Sequence, residues 1–113
     1  MTYGYIGLGN LGGHLAASLL RNGFDVTVND IDKNLAARHL KAGGKWADTP
    51  KLLAEKVDCV ITCLPSPAIS EKVLAQVLEG LKPGSTWIEM STLGRDEIQR
   101  LAFLAEAVRL QPV

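Results

Sequence analysis

The stretch Tyr3–Gly12, YGYIGLGNLG, leaves the surrounding chain little freedom. Tyr3, Tyr5, Ile6 and Leu8 suit a short buried strand. Gly7, Gly9 and Gly12 follow at the spacing Gly-x-Gly-x-x-Gly, and an apolar helical stripe begins at Leu11. Each glycine has a mechanical task at that spacing. Gly7 permits the tight turn off the strand. Gly9 carries no Cβ, so a pyrophosphate can come up to the backbone, and Gly12 lets the helix lie close on the strand. The first N–H groups of that helix, around Asn10 to Gly12, then face the phosphates with the positive end of the helix dipole behind them. An acid, Asp30, stands eighteen residues beyond Gly12, a distance that suits a ribose. Strand, loop, helix and acid in this order predict a dinucleotide-binding unit rather than a bare turn.

The rest of the chain repeats the alternation. Leu11, Leu15, Leu19 and Leu20 recur at helical spacing, with Ala16 and Ala17 keeping the packing close, and the helix stops at Asn22-Gly23. Phe24–Asn29 is a β-branched run that reads as a second strand. Lys33–Ala42 reads as a helix ended by Gly43-Gly44, and Lys45-Trp46 as a very short third strand. Thr49-Pro50 is a cap followed by proline at the first helical position, opening a helix through about Lys56. Val57–Leu64 is a continuous apolar run, the mark of a parallel strand covered on both faces. Ser66-Pro67 repeats the cap-and-proline device, and Ile69, Val73, Leu74, Val77, Leu78 and Leu81 supply a helical stripe. Thr86–Met90 is the next strand and Asp96–Val108 a last amphipathic helix. Strands alternating with helices, without hairpin signals, predict an α/β Rossmann-type fold: a doubly wound, mainly parallel sheet with helices on both faces.

Length allows one domain and no more, 113 residues being too few for two cores. Formal net charge is zero and there is no basic run, so nothing directs the chain to nucleic acid or to an anionic membrane. Met1 leads within two residues into the first strand, so no signal peptide is expected. No apolar run approaches the length of a bilayer span. Cys59 and Cys63 both fall in the apolar strand reading and are expected as buried small hydrophobes in a reducing, cytoplasmic compartment.

In such a sheet a ligand lies beyond the carboxyl ends of the strands. The segments there are Gly7–Gly12, Asn29–Ile31, Leu64–Pro67 and Ser91–Gly94, and they are expected to converge on one crevice. A carboxylate at Asp30 can accept both ribose hydroxyls of an adenosine, and it can also cap the following helix. A 2′-phosphate would meet it as a like charge, a repulsion of roughly 1 to 4 kcal/mol at about 4 Å. Each 1.4 kcal/mol is about tenfold in affinity, so NAD is expected to bind more tightly than NADP. Ser91-Thr92 offers two hydroxyls at the crevice mouth, suited equally to capping the last helix. His14 and His39 are expected to face solvent, with no serine or carboxylate at catalytic spacing. No metal-ligand cluster is visible.

These residues resemble the opening of the β-hydroxyacid dehydrogenases, the group of 3-hydroxyisobutyrate dehydrogenase, tartronate semialdehyde reductase and 6-phosphogluconate dehydrogenase. The likeness rests on YGYIGLGNLGGHLAASLLRNGFDVTVND, on ITCLP at Ile61–Pro65, and on IEMST at Ile88–Thr92, which is similar to that family's substrate signature. The resemblance implies that Gly7, Gly9, Asn10, Leu11 and Gly12 hold the pyrophosphate, that Asp30 takes the place of the ribose-binding acid, and that Leu64 and Pro65 line the nicotinamide ribose. Leu8, Asn29 and Ile31 are expected as further cofactor-binding residues beside them. Thr92 would touch the cofactor and Ser91 the substrate. Several positions depart from the family pattern. Leu11 and Leu15 replace methionines, Ser18 an asparagine and Glu89 an aspartate. Ile69 stands where a polar cofactor contact is common, and Arg95 where proline is usual.

The family continues into a helical second domain that carries a catalytic lysine and much of the dimer interface, so a homo-oligomer is compatible with the likeness. This sequence reaches Gln111-Pro112-Val113, about where a sixth strand would begin, and no catalytic residue is assigned in it. None of Lys33, Lys41, Lys45, Lys51, Lys56, Lys72 or Lys82 lies in a motif that could replace that lysine. The expected role is the NAD-binding domain of an oxidoreductase that transfers hydride to or from a small β-hydroxy acid. The alternatives are a free-standing NAD(P)-binding or sensing module without catalysis, and a methyltransferase-like domain, against which Gly12 argues.

Overall fold

Alternation along β1 (Thr2–Ile6) decides the layering, because Tyr3 and Tyr5 point to one side of the sheet while Gly4 and Ile6 point to the other. The computed structural model describes residues 1–64 and 66–90 and the short strand 111–112. Helix α1 (Asn10–Arg21) follows β1 and leads to β2 (Asp25–Asn29). A 3₁₀ turn (Lys33–Ala36) then runs into α2 (Ala37–Lys41), β3 (Lys45–Trp46) and α3 (Pro50–Lys56). The chain continues through β4 (Cys59–Thr62), α4 (Pro67–Gly80), β5 (Thr86–Glu89) and β6 (Gln111–Pro112). The expected helix over Asp96–Val108 lies outside the described residues.

All strand pairs are parallel and the order is β3-β2-β1-β4-β5-β6. β1 is therefore central, with β2 on one side and β4 on the other. The chain winds outward from β1 in both directions, so the sheet's switch point falls at the carboxyl ends of β1 and β4. One face carries Tyr5, Val26, Val28, Cys59 and Ile61 against Ala16 and Ala36, so α1 and α2 cover it. The opposite face packs Ile6, Val60 and Trp87 against Leu53, Ala54, Leu74 and Val77 of α3 and α4. At Gly4 a methyl group would run into Leu53, which is how α3 comes to lie directly on β1.

The two cap-and-proline signals end where they were expected. Thr49 Oγ1 accepts the Leu52 N–H at 3.1 Å and Ser66 Oγ accepts the Ile69 N–H at 3.3 Å. Such caps are each worth about 1 kcal/mol. Several local expectations need correction. β2 begins at Asp25 rather than Phe24, whose ring stands exposed and edge-on to Tyr3 at 5.5 Å. The apolar run Val57–Leu64 pairs as a strand only over Cys59–Thr62. The second helix starts as a 3₁₀ turn, capped by Asp32, which accepts the Asn34 N–H at 3.0 Å. Leu11 is 58% exposed and Ile69 42%, so neither belongs to a buried stripe. In α1 the buried positions are Gly12, Gly13 and Ala16, and Leu11, one position before them, turns outward. Among the described residues no helix is long and apolar enough to cross a membrane.

Two polar ties hold the sheet where apolar packing alone cannot. At its amino edge the Thr2 N–H and hydroxyl both donate to Asp58 Oδ2 at 3.0 Å, and together they hold the Asp58 carboxyl below its ordinary range. In the core the Trp87 Nε1–H donates to Thr62 Oγ1 at 3.0 Å, and the Thr62 hydroxyl donates to Glu89 Oε2 at 2.9 Å. Replacing Thr62 by valine keeps its shape but strands the indole N–H away from water. Thr62→Val is expected to lose about 1–3 kcal/mol of unfolding free energy, read from urea denaturation followed by Trp fluorescence. An unchanged unfolding midpoint would show that the indole N–H finds another acceptor.

Candidate functional site

The glycine loop leaves β1 at the switch point. Gly7 has φ +101°, and a Cβ there would overlap the carbonyl oxygen of Cys63 at the end of β4. Both facts demand glycine. At Gly12 a Cβ would overlap the carbonyl oxygen of Gly7, so α1 sits directly on the loop that precedes it. Gly9 is different: nothing stands within 4 Å of where its Cβ would be, and its backbone (φ −65°, ψ −165°) is open to any residue. Gly7 and Gly12 close up the protein's own backbone, whereas Gly9 faces open space.

Helix α1 begins at Gly9 without a side-chain cap and without an acid in its first turn. The 3₁₀ turn, α3 and α4 are each capped by their own Asp32, Thr49 or Ser66. The helix-start N–H groups at Asn10 and Leu11 have no intrahelical acceptor, so the positive end of α1 is presented outward. The loop is braced from β2. The Gly7 N–H donates to the Asn29 carbonyl at 3.1 Å, and the Leu8 N–H donates to Asp30 Oδ2 at 2.7 Å. Asp30 Oδ1 accepts the Asp32 N–H at 2.8 Å. The Asp30 carboxylate is thus half-buried and engaged at both oxygens by backbone, each oxygen keeping further acceptor capacity for a hydroxyl. The Asn29 side chain turns away from the crevice and donates to the Ala47 carbonyl at 2.8 Å.

Leu8 is buried, Leu64 packs half-buried against the α3–α4 core, and Ile31 stands fully exposed at the carboxyl end of β2. Gly7, Leu8, Gly9, Asn10, Leu11, Gly12, Asn29, Asp30, Ile31 and Leu64 are thus brought to one edge of the sheet. Pro65, Ser91 and Thr92 lie outside the described residues.

Two expectations about titratable residues are overturned. His39 is fully buried, not solvent-facing: with Ala36 it forms the inner face of the 3₁₀–α2 segment, and its Nε2 lies 2.9 Å from the Gly13 carbonyl oxygen. A carbonyl can only accept, so Nε2 carries the proton and the ring pins α2 to the first turn of α1. Cys63 is partly exposed rather than buried, because β4 has ended and its side chain packs beside Gly12 at the crevice floor. Burial first and then the Glu89 charge push its thiol up, only partly offset by the Gly12 N–H. The Tyr5 phenol is pushed up to about 12, by burial first and then by Cys63. Among the described residues no cluster of His, Cys, Asp and Glu could hold a metal ion.

Sequence reasoning did not single out Asn34 and Arg38. With Leu8, Gly9, His14, Leu35 and Ala37 they line an open cleft of about 440 Å³ between the glycine loop and the 3₁₀–α2 segment. The available signal was their spacing, i and i+4, which sets both on the side of that segment nearest α1.

Over residues 2–113 the sequence matches the family described as the NAD binding domain of 6-phosphogluconate dehydrogenase. The chain belongs to that family. It is thereby a nicotinamide-dinucleotide-binding domain of Rossmann type. A probable 3-hydroxyisobutyrate dehydrogenase, mitochondrial, of Dictyostelium discoideum is 32% identical over 108 residues, covering 93% of this chain and 34% of that protein. The rat mitochondrial 3-hydroxyisobutyrate dehydrogenase is 34% identical over 102 residues, 88% of this chain and 30% of that one. The solved structure of Mycobacterium tuberculosis 3-hydroxyisobutyrate dehydrogenase with L-serine superposes with a TM-score of 0.94 at 25% identity, covering 98% of this chain and 38% of that chain. The chain thus spans about a third of the length of these relatives.

The loop geometry separates two kinds of glycine, and stability should do the same. Gly12→Ala drives a methyl into fixed backbone and is expected to cost about 1–3 kcal/mol, as overpacking does. Gly9→Val is expected to melt with the unmodified chain. Thermal unfolding by circular dichroism compares the two, and equal losses in both would remove the distinction.

Proposed function

We propose that the chain binds NAD along the carboxyl edge of its sheet and forms the cofactor-holding part of a β-hydroxyacid dehydrogenase. The observation that carries this reading is the start of α1, uncapped and acid-free, beside a Gly9 whose missing side chain leaves the approach open. The residues suit a dinucleotide. Backbone N–H groups from Gly9 to Leu11 would take the pyrophosphate. Asp30, held in place by Leu8 and Asp32, would accept the ribose hydroxyls, and Ile31 offers an apolar surface beside them. Leu64 and Pro65 would bound the nicotinamide end, with Thr92 on the cofactor and Ser91 on the substrate.

The bound nicotinamide would supply the hydride chemistry, exchanging hydride with a small β-hydroxy acid such as 3-hydroxyisobutyrate. What this chain adds is orientation: it fixes the dinucleotide across the switch point and assigns no acid–base group of its own. Residues 1–113 form one NAD-binding domain in this reading. The dehydrogenases to which it is similar are about three times longer, and activity on a hydroxy acid is proposed only together with a catalytic part such as theirs. The free thiols of Cys59 and Cys63 suit a reducing, cytoplasmic compartment, although two relatives carry mitochondrial in their names.

Calorimetric titration with NAD and NADP tests the reading. NAD should bind more tightly, Gly9→Val should abolish binding of both without loss of fold, and Asp30→Arg should narrow or reverse the preference. Unchanged NAD affinity in Gly9→Val would reduce the loop to a structural turn. Equal NAD and NADP affinity in the unmodified chain would remove Asp30 as the selector.

A further inference from the structure

Thr62 and Glu89 are the last register pair between β4 and β5, and beyond them both segments leave the sheet at the crevice. One leads through Cys63 to Leu64, the other through Met90 toward Ser91 and Thr92. Apolar packing does not call for a polar pair there. Val60, two residues earlier on the same face of β4, is buried in the α3–α4 core, and a valine at position 62 would match Thr62 in shape. Thr62 is instead 3% exposed and spends its polar atoms on β5. Its hydroxyl donates to Glu89 Oε2 at 2.9 Å and accepts the Trp87 Nε1–H at 3.0 Å, while its carbonyl accepts the Met90 N–H at 2.7 Å. A hydroxyl that donates and accepts at once is fixed in orientation. The β4 side of this tie is fastened to the glycine loop. The Cys63 N–H donates to the Ile6 carbonyl at 2.9 Å, and Leu64 Cδ2 would lie 3.3 Å from a Cβ at Gly7.

We infer that Thr62 is a positioning residue for the nicotinamide end of the crevice. It touches no ligand itself. By holding Glu89 with its hydroxyl and Met90 with its carbonyl, it sets the gap between the segments that follow β4 and β5. Those two segments bound the nicotinamide under the proposed function, on which this inference rests. A parallel ladder fixes its strands only as far as its last backbone bond, here the one from Met90 to Thr62. The side-chain tie from Thr62 to Glu89 stands at that limit and keeps the ends from splaying. Stability alone does not require it, because an apolar pair of the same shape can serve as well. What a fully bonded buried pair adds is one defined arrangement. A ring entering between the two segments gains most when they are already in place, since no ordering of the walls is then needed.

Calorimetric titration of NAD and of ADP-ribose, which lacks the nicotinamide ring, into the unmodified chain, Thr62→Val, Thr62→Ser and Glu89→Leu tests this. The ratio of the two affinities isolates what the nicotinamide contributes. NAD should bind the unmodified chain more tightly than ADP-ribose. Thr62→Val should lower the ratio by about fivefold while ADP-ribose affinity stays within about twofold, as the loss of one hydrogen bond confined to that end requires. Thr62→Ser keeps the hydroxyl and should restore the ratio. Glu89→Leu, at a half-buried position, should lower it as Thr62→Val does, and it decides the matter where Thr62→Val fails to fold. An unchanged ratio in Thr62→Val or, failing that variant, in Glu89→Leu overturns the inference. So does a parallel fall of both affinities, which marks a merely structural role, and so does an equal loss in Thr62→Ser. If ADP-ribose binds the unmodified chain as tightly as NAD, the dinucleotide reading stands and the inference about Thr62 falls. If neither ligand binds the unmodified chain, the dinucleotide reading falls and this inference with it.

Discussion

Three backbone segments meet at the end of β1 with no room between them for a methyl group. The carbonyl of Cys63 closes on Gly7, the carbonyl of Gly7 closes on Gly12, and α1 rests on both. This contact ties the two halves of the sheet together, because Cys63 belongs to the β4 side and Asn29, which receives the Gly7 N–H, to the β2 side. A crevice forms at a switch point only when the loops on either side are held to the central strand. Here backbone contacts hold them at Gly7 and Gly12, and one side chain, Asp30, braces the loop at Leu8.

That economy has a consequence at the next turn. A helix capped by glycine forfeits the side-chain cap that α3 and α4 receive from Thr49 and Ser66, at a cost of about a few tenths of a kcal/mol. The N–H groups left bare at the start of α1 are a small local loss of stability at a place where an anionic ligand can recover it.

How much was legible in the sequence follows from which forces set each element. Glycine spacing, cap-and-proline pairs and the apolar run before Leu64 are local signals, and the turns, helix starts and parallel sheet they imply are present with small shifts at their ends. Leu11, His39 and Arg38 were not legible in the same way. Leu11 sits at the right spacing for the buried stripe, yet α1 turns its glycines and Ala16 to the sheet because the loop contact forces close approach there. His39 is polar, and the carbonyl of Gly13, distant in sequence, compensates its burial at Nε2 only, Nδ1 being buried without a partner. Arg38 occupies space that exists because a different helix lacks a side chain. Each depends on an interhelical contact that periodicity within one segment does not contain.

Asp30 shows how closely scaffold and selectivity are joined. Sequence spacing assigned it to a ribose, and helix capping was the other reading. The structure gives it a further duty, since its carboxylate accepts the Leu8 N–H and the Asp32 N–H together. One side chain therefore fixes the glycine loop, turns the chain out of β2 and presents negative charge to the cofactor edge. Replacing it by arginine changes the sign of that charge, but it also removes the acceptor from an N–H at a buried residue. A long cation cannot take over that bond. The loop would then be held at Gly7 and Gly12 while losing its brace at Leu8, so NAD affinity should suffer more than charge alone requires.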